Sequence, residues 1–311
     1  MIGEIGVDIL VTGCKKIPQA WAEVEMINSV ELLPAGAGGY SAMTFSKLGG
    51  ECRLVGRIGD DHMGHFLLDM FRKKRVNTRF LDVDRKVATE VSLILVFEDK
   101  TKASLCTEIP SIDPKYFDAD CLIDMWGAHF SGYLLFPNLW KRGIRSIMGE
   151  AKNRGLHTSL DPQMSLTGEW MKPFNMDLSF LDILFIDEEE VQRITNEDHI
   201  EKAAAKLLKK GVEVVVVKMG EKGCYVKTRE ESFETASYPV KAVSTVGAGD
   251  AFDAAFLYAR SNGRNLRWAS EFANLVAAYS VTKIGCIPGI PSTKRLLNQL
   301  QKEKRTIPNY L

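Results

Sequence analysis

The sequence predicts an α/β fold with a mainly parallel central sheet, and three observations support this. Apolar, β-branched runs alternate with amphipathic helical segments along most of the chain. Val212–Val217 is fully apolar, which is typical of a strand buried in a parallel sheet. The alternation is interrupted mainly between residues 78 and 110, where strand-like pieces follow one another. We therefore expect one α/β domain with a small additional sheet.

Turn residues and periodicity divide the first part of the chain. Ile2–Val11 is apolar and rich in β-branched residues, which predicts a strand that carries two acids. The glycine-rich segment Pro34–Gly39 precedes an apolar run at helical spacing, so it predicts a strand, a loop and a helix. In order, the predicted elements are a strand over Ile2–Val11, a strand within Trp21–Leu32, a helix over Ala42–Leu48, a strand over Cys52–Ile58 and a helix around Phe66–Phe71.

A small sheet is predicted where the alternation breaks. Thr78–Val83, Ala88–Phe97 and Lys102–Ile109 are strand-like, and Asp99 and Lys100 have the composition of a hairpin turn. Apolar residues alternate along the second piece, so we expect one apolar face and one mixed face. This sheet is predicted to lie outside the main core.

Helix and strand patterns alternate again from Ala128 onward. No repeat or linker separates this part from the rest, so it belongs to the same domain. The predicted elements are strands at His129–Tyr133, Leu156–Leu160, Asp182–Ile186 and Val212–Val217, and helices at Trp140–Asn153, Glu188–Ile194, Ile200–Lys209, Ala248–Ser261 and Leu266–Thr282.

Composition and charge favour a small-molecule ligand. Lys and Arg together number 40, as do Asp and Glu, so no overall basic field attracts nucleic acid or a membrane surface. The six cysteines lack metal-ligand spacing and are expected to be reduced thiols. The N-terminus predicts no signal peptide, and no segment is long and apolar enough to span a bilayer. We therefore expect a cytoplasmic protein.

The segment Ser244–Phe252 carries the strongest chemical signal. Gly247 and Gly249 leave the backbone open to a ligand, and amide groups at the start of a helix attract a phosphoryl group. Asp250, at the same helix start, could take a proton from an attacking hydroxyl. The alternative is that the glycines form a tight turn and Asp250 only caps the helix.

Two motifs resemble the signatures of the ribokinase-like, or PfkB, family of carbohydrate kinases. Gly247-Ala248-Gly249-Asp250 matches the family's C-terminal signature, whereas Gly36–Gly39 and Val55–Gly64 resemble its N-terminal signature. Shorter matches extend over nearly the whole chain. The resemblance implies a single three-layer α/β/α domain over residues 1–311, with a small β-sheet lid built from excursions at about 13–33 and 78–110.

The resemblance also implies an activity and a set of site residues. It implies an ATP-dependent transfer of the γ-phosphoryl group to a hydroxyl of a ketose, sugar acid or related polyol, with Mg²⁺ as cofactor. By matching position, the implied roles are Asp250 as general base with Gly247, Ala248 and Gly249 in the anion hole; Asp8, Gly36 and Tyr40 at the substrate; Lys218, Gly220, Gly223 and Asn274 at the nucleotide; and Glu190 and Asp187 at the metal.

Most of these residues also have a structural interpretation. Asp8 could be a buried structural acid, Gly36 part of a helix-entry turn, and Tyr40 a core residue. Gly220 and Gly223 could form a hairpin turn, and Asn274 could occupy an ordinary polar helix position. Asp187 and Glu190 could simply compensate the dipole of a helix. These alternatives remain open at this stage.

The chain departs from the family pattern at three positions that bear on substrate and ions. Tyr40 stands where a sugar-binding asparagine is usual, and Asp187 replaces an asparagine of the metal motif. Ser244 replaces an aspartate that helps many members to bind a monovalent cation. We expect Mg²⁺ dependence without strong potassium activation.

Two other functions are compatible with the sequence. One is a nucleoside kinase of the same fold, because Tyr40 could lie near a base. The other is a catalytically weak ligand-binding homologue, which the three departures favour and the intact Gly247–Asp250 segment opposes. The expected partner is a small sugar, with no nucleic acid and no membrane, and a homodimer through the lid is left open.

Overall fold

The central sheet has seven strands, and the first five in spatial order pair in parallel. The computed structural model describes residues 1–99 and 101–302, so Lys100 of the predicted hairpin turn lies outside the described residues. The strands are β1 (Ile2–Gly3), β8 (Gly127–Ser131), β9 (His157–Asp161), β10 (Ile183–Asp187), β11 (Val214–Lys218), β12 (Cys224–Lys227) and β13 (Ser232–Thr235), in that spatial order. The last two pair antiparallel and form a hairpin at one edge.

Helices cover both faces of this sheet. Along β10, Ile183 and Phe185 point into one hydrophobic core, whereas Leu184 and Ile186 point into the other. This alternation follows from the period of two in a strand with both faces buried. The first core is covered by α1 (Ala37–Lys47), α2 (His62–Lys73), α6 (Ala248–Ser261), α7 (Leu266–Ser280) and α8 (Thr293–Lys302), and the second by α3 (Arg142–Asn153), α4 (Glu188–Thr195) and α5 (Ile200–Leu208). The predicted α/β/α arrangement is therefore confirmed.

A separate four-stranded sheet, here called the small sheet, lies outside the central sheet. Two of its strand pairs are antiparallel and one is parallel. Its strands, in spatial order, are β3 (Ser29–Ala35), β2 (Gly6–Cys14), β6 (Glu90–Phe97) and β7 (Lys102–Cys106).

The prediction of one strand over Ile2–Val11 is wrong, because the chain changes sheets within it. The carbonyl of Glu4 accepts hydrogen bonds from the amides of Gly38 (2.9 Å) and Gly39 (3.3 Å) at the start of α1. The chain then continues as β2 of the small sheet. As a result, Asp8 lies within a small-sheet strand and not at the end of a central strand, and the small sheet starts before the predicted residue 13.

The prediction that Thr78–Val83 belongs to the small sheet is also wrong. Leu81–Asp84 forms β5, which pairs in parallel with β4 (Gly56–Gly59) in a separate two-stranded sheet. Residues 21–28 are irregular, so the predicted strand in Trp21–Leu32 starts only at Ser29. Within residues 1–99 and 101–302, no helix is long and apolar enough to cross a membrane.

Candidate active site

The carboxyl ends of three neighbouring strands meet the start of α6. Strands β9, β10 and β11 end at Asp161, Asp187 and Lys218. Parallel strands bring their carboxyl ends to one edge of the sheet, where open α/β folds bind ligands. The three charged side chains therefore line the edge over which α6 begins.

The glycine turn before α6 is tightly packed. Gly247 adopts a left-handed conformation with φ 75° and starts the helix without a side-chain cap. A Cβ at Gly247 would lie 3.0 Å from Cγ of Tyr40 and 3.1 Å from Cβ of Cys286, so both the conformation and the space favour glycine. The Ala248 amide donates a hydrogen bond of 3.2 Å to the Thr245 carbonyl, so the following amides, those of Gly249 and Asp250, are the ones placed to meet an anion.

Asp250 does not cap α6. Its carboxyl Oδ1 accepts a hydrogen bond of 3.0 Å from Nε2 of Gln163, and the residue is 5% exposed. Burial and the nearby Asp161 raise the pKa of Asp250 well above its usual range, and Lys218 opposes that increase. Asp250 is thus a buried carboxyl that is held by a neutral donor, close to the helix start.

Asp8 and Tyr40 form a hydrogen-bonded pair next to the glycine turn. The Tyr40 hydroxyl, from α1, donates a hydrogen bond of 3.0 Å to Oδ2 of Asp8 in the small sheet. Tyr40 is 3% exposed and its ring belongs to the hydrophobic core. Burial raises the pKa of Asp8, and the Tyr40 hydrogen bond lowers it in part.

Two further acids lie beside Asp8. Glu90 lies on the same face of the small sheet as Asp8, because Glu90 pairs with Gly6 and Gly6 precedes Asp8 by two residues. Burial raises the pKa of Glu90 to about 7, with additional contributions from Glu4 and Asp8. Glu4 accepts a hydrogen bond of 3.1 Å from the Ala37 amide, and its charge also raises the pKa of Asp250. A line of four carboxyl groups therefore connects the small sheet to the glycine turn.

Lys218 lies among carboxyl groups under α6. Its ammonium group contacts Asp161 and lies 3.3 Å from Oδ2 of Asp253. A Cβ at Gly249 would lie 3.2 Å from Lys218 Nζ, so the positive charge is adjacent to the glycine turn.

Comparison with known families identifies the chain that carries this helix start and these buried acids. The model for the pfkB family of carbohydrate kinases matches residues 10–293. The chain belongs to the pfkB family. It is an ATP-dependent carbohydrate kinase, so the predicted family and the predicted class of enzyme are confirmed.

Several named pfkB-type kinases are similar to the chain over most of its length. Probable fructokinase-3 of Arabidopsis thaliana is 27% identical over 294 residues, which cover 89% of this chain and 85% of the relative. Fructokinase-2 of Oryza sativa subsp. japonica is 28% identical over 277 residues, covering 83% and 82%. A putative ribokinase II from E. coli, solved in complex with ATP and Mg²⁺, superimposes with a TM-score of 0.83 at 25% identity, covering 97% and 98%.

The predicted metal residues of this pfkB kinase form a helix cap. Oδ1 of Asp187 accepts a hydrogen bond of 2.7 Å from the Glu190 amide, and Oε2 of Glu190 accepts one of 2.8 Å from the Asp187 amide. Burial, followed by Asp161 and Asp187, raises the pKa of Glu190 to about 8. The described residues contain no cluster of three or more His, Cys, Asp or Glu side chains that could bind a metal ion. A metal role for the pair therefore remains a prediction.

The predicted nucleotide residues other than Lys218 lie around the β11–β12 turn and α7. Gly220 and Gly223 adopt positive φ angles of 57° and 106°, and a Cβ at Gly223 would lie 1.9 Å from the Thr235 carbonyl oxygen. Asn274 is 3% exposed, and its Nδ2 donates to the carbonyl (3.1 Å) and hydroxyl (2.9 Å) of Thr235. These contacts fasten α7 to β13, and a role at the nucleotide remains a prediction.

The conformation of Gly36 is explained by packing. It starts α1 with φ 84°, and a Cβ there would lie 2.6 Å from the Glu4 carbonyl oxygen and 2.7 Å from Cα of Ile5. The glycine therefore lets the backbone pass close to the link between β1 and β2, and a substrate contact remains a prediction.

Three neighbours of the site were not predicted from the sequence. Gln163 lies two residues after the end of β9 and adopts a left-handed φ of 59°. Its position just after Asp161, at the carboxyl end of a strand, could have indicated a site residue. Glu90 starts a small-sheet strand, where a single acid is unremarkable. Asp253 lies three residues after Asp250, on the same side of α6, and that helical spacing was also a usable signal.

Proposed function

We propose that this kinase transfers the γ-phosphoryl group of ATP to a hydroxyl of a neutral sugar, a ketose or a related polyol. Asp250 is the general base and the turn Gly247–Asp250, with Ala248 and Gly249, is the anion hole. A sugar acid, which the sequence also allowed, fits the site less well.

The observation that carries this proposal is the charge of the substrate end. Glu4, Asp8 and Glu90 lie together, and no lysine or arginine of the described residues forms an ion pair with any of them. Carboxyl groups in either protonation state hydrogen-bond with sugar hydroxyls, but they offer no positive charge to a carboxylate or phosphate on the substrate. A neutral polyhydroxy compound therefore satisfies this end of the cleft best.

The chemical step would use groups that lie together at the start of α6. Gln163 holds Oδ1 of Asp250, which leaves Oδ2 to accept the proton of the substrate hydroxyl. The hydroxyl oxygen attacks the γ-phosphorus, and the bond from phosphorus to the bridging oxygen of ADP breaks. Amides at the start of α6 stabilise negative charge on the phosphoryl oxygens. The small sheet, which carries Asp8, would exclude water when it closes.

Two acids at the end of β10 are proposed to hold Mg²⁺. Asp187 and Glu190 supply the hard oxygen atoms that Mg²⁺ prefers, and a bound cation would favour ionisation of Glu190, whose pKa is raised to about 8 by burial and then by Asp161 and Asp187. When bound, Mg²⁺ would neutralise phosphate charge. Gly220, Gly223 and Asn274 are proposed to border the nucleotide, whereas the ammonium group of Lys218 is engaged by Asp161 and Asp253.

A substrate panel tests the proposal. The purified kinase should phosphorylate a neutral ketose or polyol faster than the matched sugar acid, measured as ADP release and as sugar phosphate by mass spectrometry. Preference for the sugar acid would contradict the charge argument. Exclusive turnover of nucleosides would instead support the nucleoside-kinase alternative, although the buried ring of Tyr40 gives a base little surface to stack on.

We also propose that two copies associate through the small sheet. Leu33, on the Asp8 face, packs near Gly285 of the main body, so that face is directed at the cleft. The opposite face is apolar, and Val30 (59%), Leu32 (40%) and Leu105 (67%) are exposed on it. Light scattering should show a dimer for the wild type and a monomer for Leu32→Asp/Leu105→Asp.

We also propose a cytoplasmic location. The phosphoryl donor is ATP, and the six cysteines are free thiols, as is usual in a reducing compartment.

A further inference from the structure

We propose that Lys218 is a positioning residue for the phosphoryl transfer, whose fixed positive charge keeps Asp250 able to accept a proton near neutral pH. This inference rests on the proposed role of Asp250 as general base. It assigns Lys218 a function different from contact with the nucleotide.

The position of Lys218 is set by two aspartates. Its side chain is 14% exposed, and those of Asp161 and Asp253 are 1% and 0% exposed. A buried lysine with such partners keeps its charge, and the pKa of Lys218 accordingly lies well above its usual value. The ammonium group is thus a permanent cation behind the glycine turn.

The two aspartates are not equivalent. Lys218 and hydrogen bonds lower the pKa of Asp161, whereas burial raises the pKa of Asp253. Oδ1 of Asp253 is buried without a hydrogen-bond partner among the described residues. Asp161 is therefore the principal partner of the ammonium group.

Asp161 connects this cluster to Asp250. Its Oδ1 accepts a hydrogen bond of 2.9 Å from the Gln163 backbone amide, and the Gln163 side chain donates to Asp250. Gln163 adopts φ 59°, a conformation that costs energy for a residue with a side chain. The Lys218–Asp161 pair thus helps to hold the strained residue that orients the base.

Without Lys218, Asp250 would face mainly negative and apolar surroundings. A buried carboxyl next to other carboxylates becomes hard to ionise, and a protonated Asp250 cannot act as a base. Lys218 is the basic residue among the groups that influence the charge of Asp250. The titratable and charged groups that face Asp250 are Glu4 from the β1–β2 link, Tyr40 from α1, Asp161 from β9, Lys218 from β11, Asp253 from α6 itself and Cys286 from the 281–289 loop.

The test is the pH dependence of kcat in Lys218→Met, which keeps the length of the side chain and removes its charge. We expect the acid limb of kcat to move up by at least about one pH unit. At pH values below the new midpoint, kcat should fall about tenfold for each unit of displacement. The Kd for MgATP, measured by calorimetry, should stay near that of the wild type.

Two variants separate the electrostatic role from a structural one. Lys218→Met/Asp253→Asn supplies an amide that can donate to Asp161, so it should fold even if the single variant does not, and its acid limb should be displaced in the same way. Lys152→Met is the matched control, because Lys152 also contacts a partly buried aspartate, Asp182, at the opposite end of β10. Its acid limb should match the wild type.

Two results would overturn the proposal. An unmoved acid limb with a weakened MgATP affinity would make Lys218 a nucleotide ligand, and an unmoved limb with only a lower melting temperature would make it a structural residue. If no sugar is phosphorylated by the wild type, the proposed function fails separately. The carboxyl band of Asp250 in infrared titration, assigned with Asp250→Asn, then still reports whether Lys218→Met raises its pKa.

Discussion

The hydroxyl of Tyr40 donates a hydrogen bond of 3.0 Å to Oδ2 of Asp8, and this bond joins the first helix of the main body to the small sheet. The same ring packs against Gly247, at the start of α6. Tyr40 therefore contacts both Asp8 and the glycine turn. We propose that its phenol orients Asp8, which would in turn contact the sugar.

Tyr40→Phe should weaken sugar binding while leaving nucleotide binding intact. The variant keeps the buried ring and loses one hydrogen bond to a carboxylate, which is worth about 1.5–3 kcal/mol. We expect KM for the sugar to rise roughly tenfold or more, with a smaller change in kcat. Steady-state kinetics measure this, and an unchanged KM would show that Asp8 is oriented without Tyr40.

Asp8→Ala should reduce sugar affinity more than ATP affinity. Asp8 belongs to the small sheet, whereas the strand ends proposed for the nucleotide belong to the central sheet. Calorimetry with each ligand separately provides the measurement. Equal losses for sugar and ATP would indicate a structural acid, and Asp82→Ala, which removes an exposed acid of β5, serves as a control for nonspecific effects.

The kinase should lose activity on the acid side at a higher pH than an ordinary carboxyl would predict. Burial raises the pKa of Asp250, so the carboxyl becomes protonated as pH falls through that raised value. A protonated base cannot accept the hydroxyl proton, and kcat should therefore fall with falling pH. Profiles at saturating sugar and MgATP test this, and a flat profile down to about pH 4 would contradict it.

Potassium should have little effect on the rate. Ser244 offers a neutral hydroxyl where an aspartate would supply charge, and its amide donates to the Val281 carbonyl at 3.1 Å. A monovalent cation would depend mainly on carbonyl dipoles of the 281–289 loop. Initial rates with KCl or NaCl at constant ionic strength should agree, and Ser244→Asp should introduce potassium activation. Strong, saturable activation of the wild type would refute this interpretation of Ser244.

The sequence predicted the central layers well, because buried parallel strands and amphipathic helices have strong periodic patterns. It did not predict the change of sheet after Gly3. Ile2–Val11 is continuously apolar, and the break depends on a distant contact between the Glu4 carbonyl and the Gly38 amide. The strand β13 and the helix α8 were also not predicted.

The site was predicted in part, and the limits have a physical origin. The motif around Asp250 indicated the glycine turn, since local sequence determines a helix start. The hydrogen bond between Gln163 and Asp250 joins residues 87 positions apart, and the acidity around Asp8 arises only when Glu4 and Glu90 fold against it. Charge clusters of this kind depend on tertiary structure and leave no local pattern.

The central claim is that Asp250 takes the proton of a sugar hydroxyl, and Asp250→Asn tests it most directly. Asparagine has the same shape, and its Oδ1 can still accept the Gln163 hydrogen bond, so fold and MgATP affinity should be retained. We predict that kcat for the preferred sugar falls by about 10²–10⁴-fold. A folded variant that binds MgATP normally and turns over near the wild-type rate would contradict the account.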